Sequence, residues 1–255
     1  MTTNNDQKIK KLLEKHKPGT VSLASWLEDL GISRDLQVYY RRSGWLKSIG
    51  TGAFIRPNDT VNWEGGLYAL QTQAELPVHV GALTALSMQG LAHYLRLSEE
   101  KIFLFSPPKT ILPAWFRNQD WQHPIHHVKT SILPDKIGLT DYEEKTFTII
   151  ISAPERAMLE CLYLAPDDLD LIECYQVMEG LTNLRPKLVQ ELLEKCSSVK
   201  VKRLFLYMAD KAGHQWLPFV DRSKIDLGKG DRKIANGGMY ISGFHISIPK
   251  ELAAI

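Results

Sequence analysis

Residues 32–56 read ISRDLQVYYRRSGWLKSIGTGAFIR, and the stretch divides at Gly44 into a helix and a hairpin. Ser33 carries the hydroxyl that a helix N-cap needs, and no proline or glycine interrupts the run from Arg34 to Ser43. Gly44 supplies the stop. Beyond it, two short apolar segments starting at Trp45 and ending at Ile55 flank Ser48, Ile49, Gly50, Thr51 and Gly52, which is hairpin chemistry. Toward the N-terminus, Leu23, Trp26, Leu27 and Leu30 recur at i, i+3, i+4 and i+7, so they predict a second helix with Ser22 as its N-cap. Gly31 then sits where a left-handed C-terminal residue is wanted. Before it, Ile9, Leu12 and Leu13 form a helical stripe that Lys17, Pro18 and Gly19 end. Two helices joined by a short glycine-containing turn and followed by a hairpin specify a winged helix-turn-helix over about residues 8–57.

The faces of the third helix then suggest its use. Leu36, Tyr40 and Ser43 are expected to point inward toward Trp26 and Leu30. Arg34, Gln37, Val38 and Arg41 are expected on the opposite face, which has the groups a major-groove reader needs: Arg for guanine and Gln for adenine. Ser33 and Arg34 lie at the helix N-terminus, the end that enters the groove in such motifs. Arg42 and Tyr39 flank this face as phosphate contacts, which position a protein without reading sequence. Lys47, Thr51 and Arg56 are the corresponding candidates on the wing.

Charge supports the same division. The whole chain of 255 residues carries a net charge of only +2, yet residues 1–58 hold ten basic side chains against five acidic ones. The remaining residues are slightly acidic. A small basic unit attached to a larger, weakly acidic one points to a polyanionic partner for the basic unit. Composition is otherwise that of a globular protein, with 44% hydrophobic and 24% charged residues, which argues against disorder, collagen and coiled coil. No apolar run reaches the roughly 18 residues needed to span a bilayer. The N-terminal residues lack the apolar core of a secretory signal. The three cysteines, Cys161, Cys174 and Cys196, are too few and too widely spaced for a disulfide framework or a zinc knuckle. A reduced, cytoplasmic protein without a membrane partner is expected.

From Asn62 to Leu97 the pattern is helical, with Trp63, Leu67 and Leu70 on one stripe and a second helix from Ala82 to Tyr94. Strands are expected at Ile102–Phe105, Ile125–Lys129 and Phe147–Ile151. Ser152 and Glu155, with Pro154 between them, have capping-box spacing and open a helix through about Leu164. Further helices are expected near 168–180, 186–196 and 198–212, then a final strand from Tyr240 to Pro249. The expected fold is α+β. An N-terminal winged-helix domain with its helical extension (62–96) takes residues 1–96, and a larger mixed C-terminal domain takes 97–255.

No catalytic site, metal or cofactor emerges from the second half. His126 and His127 point to opposite faces of a strand, and no Cys or acidic pair completes a site with them and His123. Asp168 and Asp170 lie at a helix start, where acids suit the macrodipole. Leu227–Lys233 is a glycine-rich basic loop without P-loop spacing. Its Lys229, Arg232 and Lys233, with backbone N–H groups, are the candidate phosphate or nucleic-acid contact of this half.

Segment 32–56, followed by NWEGGLYALQTQAELPVHVGALTALSMQGLAHYL at 62–95, resembles the AbiEi-type antitoxins. These are transcriptional regulators of type IV toxin–antitoxin systems, which act in abortive phage infection. The likeness continues through SAPERAMLECL (152–162), VKRLFLYMAD (201–210) and LGKGDRKIANGGMYISGFHISIP (227–249). It implies a repressor that binds inverted repeats in the double-stranded DNA of its own promoter. It also implies a C-terminal domain that counters an AbiEii-type, nucleotidyltransferase-like toxin without a stable complex. Two other readings are an enzyme acting on nucleotides or RNA with the winged helix as its targeting module, and an adaptor that never touches DNA.

Overall fold

The computed structural model describes residues 2–92 and 101–255. Helix α1 (Thr2–Lys15), strand β1 (Ser22–Leu23), helices α2 (Ala24–Asp29) and α3 (Arg34–Arg42), and strands β2 (Lys47–Gly50) and β3 (Ala53–Ile55) come first. Helix α4 (Trp63–Thr72), strand β4 (His79–Val80), helix α5 (Ala82–Met88), strand β5 (Ile102–Ser106) and the single turn α6 (Ala114–Arg117) follow. Strands β6 (Ile125–Lys129), β7 (Leu139–Glu143) and β8 (Thr148–Ser152) precede helices α7 (Pro154–Leu164), α8 (Leu171–Gly180), α9 (Pro186–Lys195) and α10 (Val199–Lys211). Strands β9 (Arg232–Lys233), β10 (Met239–Ile241) and β11 (Ile246–Ile248) and helix α11 (Lys250–Ala254) close the chain. Among the described residues three sheets form, with strand orders β1-β3-β2, β6-β5-β4-β8-β7 and β10-β11-β9. Strands β4 and β8 pair in parallel, with Val80 opposite Ile151.

The fold is mixed α+β, with an N-terminal domain and a larger C-terminal one. By contacts the chain forms two compact units. The first is Met1–His79 together with Lys109–Ile125 and Asp141–Ile150. The second is Val80–Pro108, His126–Thr140 and Ile151–Ile255. The expected helix from Ala82 to Tyr94 ends at Met88, and its last residues, like the end of the 62–96 extension, lie outside the described residues.

In the first unit the apolar stripes read from the sequence meet in one core of Leu12, Leu27, Ile32, Leu36, Tyr40 and Phe54, with Ile9, Trp26 and Leu30 packed against it. Strand β3 pairs antiparallel with both β1 and β2. Ser22 does not cap α2. It lies in β1 opposite Phe54, and Leu23 holds the capping position with no side-chain bond. Gln71 on α4 acts like a short strand. Its amide donates to the carbonyls of Val78 and Ile150 and accepts from the Ile150 N–H at 2.8 Å.

In the second unit α7 is the central helix, with Ala157, Met158, Leu159, Cys161 and Leu162 fully buried. Pro154 opens it as expected, but Ser152 and Glu155 form no capping box. The Ser152 hydroxyl donates instead to Glu160 at 2.7 Å, and Glu155 takes a bidentate pair with Arg185 at 3.0 Å. Glu160 also accepts from the Ala82 N–H at the start of α5 and from Arg156, whose guanidinium donates to the carbonyls of Pro134 and Ile137. One buried carboxylate therefore joins β8, α5 and α7. The final strand expected over 240–249 is two antiparallel strands, β10 and β11, because His245 takes a left-handed conformation (φ 52°) and turns the chain between them. Strand β7 was not anticipated, since its LTDYE sequence is half-exposed and lacks alternation.

Replacing Glu160 by Ala leaves the buried Arg156 guanidinium without its carboxylate. The unit should lose about 3–5 kcal/mol, measured by urea denaturation. A loss under about 1 kcal/mol would show that the neighbouring carbonyls suffice to hold Arg156.

Candidate nucleic-acid interface

Helix α3 is built as its sequence suggests. Ser33 sits at the N-cap in extended geometry and its hydroxyl accepts from the Leu36 N–H. Asp35 in the first turn and Arg41 and Arg42 in the last complement the helix dipole. The preceding turn depends on Gly31 at φ 84°, where the Ile32 N–H returns to the Leu27 carbonyl and closes α2. Leu36 and Tyr40 enter the core.

The reading face differs from the expected one at two positions. Gln37 is 2% exposed, and its amide nitrogen donates to the carbonyls of Ala24 and Ile32, each at 3.0 Å. The Ile32 carbonyl lies in the turn before α3 and has no helical partner, while the Ala24 carbonyl, in the first turn of α2, takes the amide as a second donor beside its own i+4 N–H. Gln37 is therefore withdrawn from base reading. Ser43, expected inward, is exposed at the C-cap with its hydroxyl on the Tyr39 carbonyl.

Outward from α3 stand Arg34, Asp35, Tyr39, Arg41 and Arg42, with Val38 half-buried. Arg34 pairs with Glu28 at 2.7 Å, both exposed. Arg41 stacks its guanidinium 5.9 Å from the centre of the Phe54 ring. Among the described residues Arg41, Arg42 and Lys47 meet no carboxylate. Lys47 and Thr51 are exposed on the β2–β3 hairpin and Arg56 is half-buried after it. Trp45, 46% exposed between α3 and β2, belongs to the same surface. It was readable only as a hairpin entry.

The hairpin is held at both ends. The Gly52 carbonyl accepts from the Ala24 N–H at 2.8 Å. At Gly50, a Cβ would stand 2.6 Å from the Trp115 Cβ, so α6 packs directly on β2 and only glycine fits. No local pattern in the sequence announces that contact.

Ser22, His16 and Asp59 form a line of hydrogen bonds, with His16 Nδ1 3.0 Å from the Ser22 hydroxyl and Nε2 3.1 Å from Asp59. The connectivity is that of a nucleophile, a base and an acid. Ser22, however, is 1% exposed, so no substrate reaches it. The chain of bonds ties the end of α1 to β1 and to the segment after β3. Burial holds the His16 pKa below its usual value, which keeps the ring neutral near pH 7.

In the second unit, the 227–233 loop turns its backbone the opposite way from a phosphate cradle. The carbonyls of Leu227, Gly228 and Gly230, with that of His245, accept from the guanidinium of Arg203, itself 2% exposed. The Gly228 N–H is bound by Asp226. An anion nest needs converging N–H groups, and here carbonyls converge on a cation. The backbone half of the phosphate reading is thereby overturned. The side chains of Lys229, Arg232 and Lys233 are exposed and meet no carboxylate among the described residues.

His126 approaches Asp168 at 3.7 Å, and His127 lies 2.7 Å from the Ser106 hydroxyl. Asp170 caps α8 by accepting from Ile172 and Glu173. No group of three His, Cys, Asp or Glu among the described residues is placed to hold a metal. The three cysteines are buried, and burial pushes each thiol pKa up, away from reactivity. No helix among the described residues is long and apolar enough to cross a membrane.

A family model described as "Transcriptional regulator, AbiEi antitoxin, Type IV TA system" matches residues 99–249. A second, "Transcriptional regulator, AbiEi antitoxin N-terminal domain", matches residues 5–97. Among solved structures, the chain is similar to the RV2827C protein from Mycobacterium tuberculosis. The TM-score is 0.57 at 11% identity, over 95% of this chain and 90% of that one, a likeness of fold. No curated protein matches the chain.

Two outcomes follow from these geometries. Gln37→Ala leaves the buried Ile32 carbonyl without its donor and should cost about 1–3 kcal/mol in denaturant unfolding, without altering preference between bases. A change of preferred sequence at unchanged stability would return Gln37 to the reading face. For His127, burial, with the charges of Lys129 and His126 adding to it, pushes the pKa down to about 4 from 6.5. The unfolded chain binds a proton on this ring at higher pH than the folded one. Its contribution is thus complete above about pH 6.5 and lost as pH falls toward 4. His127→Gln should flatten that part of the stability profile, and an identical profile would rule the ring out as its source.

Proposed function

This chain belongs to the AbiEi antitoxin family of transcriptional regulators of type IV toxin–antitoxin systems, and from that premise we propose that it represses its own promoter through a winged helix-turn-helix. Helix α3 is the recognition helix and the β2–β3 hairpin the wing. The observation that carries the reading is the set of cations on one small unit, Arg41, Arg42 and Lys47, which meet no carboxylate among the described residues. Uncompensated cations beside a helix of groove-fitting size are what a duplex backbone neutralises.

On this reading Ser33, Arg34, Val38 and Arg41 face the base edges, while Arg42, Lys47, Thr51 and Arg56 hold phosphates. Arg34 exchanges Glu28 for DNA at small cost, because an exposed pair is worth about 0–1 kcal/mol. Two copies fill an inverted repeat, one per half-site. Residues 1–96 form the DNA-binding domain and 97–255 the antitoxin domain. The latter opposes an AbiEii-type, nucleotidyltransferase-like toxin in the cytoplasm, without a stable complex and without catalysis of its own. Lys229, Arg232 and Lys233 remain a polyanion contact through their side chains alone.

The test is a gel-shift titration on the upstream region of its own operon at two salt concentrations, against a scrambled duplex of equal length. Selective, salt-sensitive binding is expected. Arg41→Ala should cost about 1–3 kcal/mol on the operator alone, as for a lost guanine contact. Lys47→Ala should weaken all duplexes alike and reduce the salt slope by about one phosphate. Equal binding to the scrambled duplex would remove the repressor reading.

A further inference from the structure

The α6 segment lies against the wing and carries its own unpaired cation. Trp115 packs so close to Gly50 that a Cβ there would stand 2.6 Å from the Trp115 Cβ. The segment is fixed beneath by Phe116 and Trp121, whose rings lie 5.2 Å apart and whose indole N–H donates to the Phe116 carbonyl at 2.8 Å. On this anchored turn Arg117 is exposed and has no carboxylate partner among the described residues. Its Nε donates to the Leu112 carbonyl at 3.1 Å, which sets the direction of the guanidinium and leaves its two terminal nitrogens open.

Arg117 also borders a depression of about 380 Å³ that Gln119, Gln122 and His123 line with hydrogen-bond donors. The one acid there, Asp120, accepts from the Gln122 N–H at 2.9 Å, so one of its carboxylate oxygens is engaged. A rigid turn beside the wing, one free guanidinium and a polar trough beyond it match the chemistry of a phosphodiester backbone.

We infer that residues 115–123 extend the DNA-contacting surface past the wing, with Arg117 binding a phosphate of the duplex that α3 and the wing engage. The inference rests on the repressor reading and adds to it. The DNA-binding surface then includes chain that the N-terminal family match, residues 5–97, does not reach.

The experiment uses the full-length protein and two operator duplexes, one ending at the wing and one longer by about a half-turn, at two salt concentrations. Wild-type protein should prefer the longer duplex. Arg117→Ala should bind the longer one severalfold more weakly, with a salt slope shallower by about 0.9, and should lose the preference for length. Arg117→Lys keeps the charge but gives up the fixed direction from Leu112, and should recover most of the affinity and the slope. Three results separate the possibilities. Wild-type protein that ignores both duplexes ends the repressor reading and this inference with it. Wild-type binding with Arg117→Ala unchanged ends this inference alone. Lysine and alanine variants equally weak, each with the wild-type slope, would show that Arg117 only braces the turn, which also overturns it.

Discussion

A single buried amide sets where the outward face of the basic unit points. Gln37 holds the first carbonyl of α2 and the last carbonyl of the turn before α3, so the two helices are locked at their junction by polar contacts inside an apolar core. The Ile32 carbonyl would otherwise be desolvated without a partner, which makes any rotation of α3 costly. Leu36 and Tyr40, on the same helix, belong to that core. With α3 fixed in this roll, Tyr39, Arg41 and Arg42 have no route inward. The cationic surface is therefore a consequence of how the helix pair is closed.

Much of this unit was legible in its residues. The cap at Ser33, the stop at Gly44, the apolar stripes and the hairpin are local features, and each has a local cause. Gln37 was misread for an equally physical reason. Its neighbours Leu36 and Tyr40 mark the buried stripe, and a glutamine beside that stripe is placed outside by polarity alone. Only the positions of two carbonyls from earlier in the chain reverse the assignment, and carbonyl positions are not encoded in side-chain pattern. Ser152 and Glu155 failed in the same way. Their spacing fits a capping box, but Glu160, 8 residues beyond Ser152, and Arg185, 30 residues beyond Glu155, are stronger partners than the helix end. The packing of Trp115 on Gly50 joins positions 65 residues apart, and nothing near either residue foretells it.

Groups that look chemical are mostly engaged in holding the fold. Ser22 and His16 are sealed, and Ser106 is 2% exposed beside His127. Glu160 and Arg156 neutralise each other while satisfying carbonyls and N–H groups around them. Both units thus use a buried polar side chain as a junction between segments distant in sequence. The free charges are left on the surface. That separation is what a protein acting through binding requires, since its contact residues can change without touching the interior.

The Arg203 cage carries this separation furthest. A guanidinium that recognises main-chain carbonyls is indifferent to which side chains the loop bears. The 227–233 segment keeps its shape through its backbone, its left-handed Gly228 and Gly230, and Asp231, which accepts from the Tyr240 hydroxyl, while the side chains of Lys229 and Lys233 contribute nothing to it. The two lysine positions are therefore neutral ground for evolution. Charges can be added, removed or reversed there while the scaffold stays constant, so related chains could adapt that surface to different counterparts by single substitutions. Arg203 itself has no such freedom, because lysine could not reach four carbonyls at once.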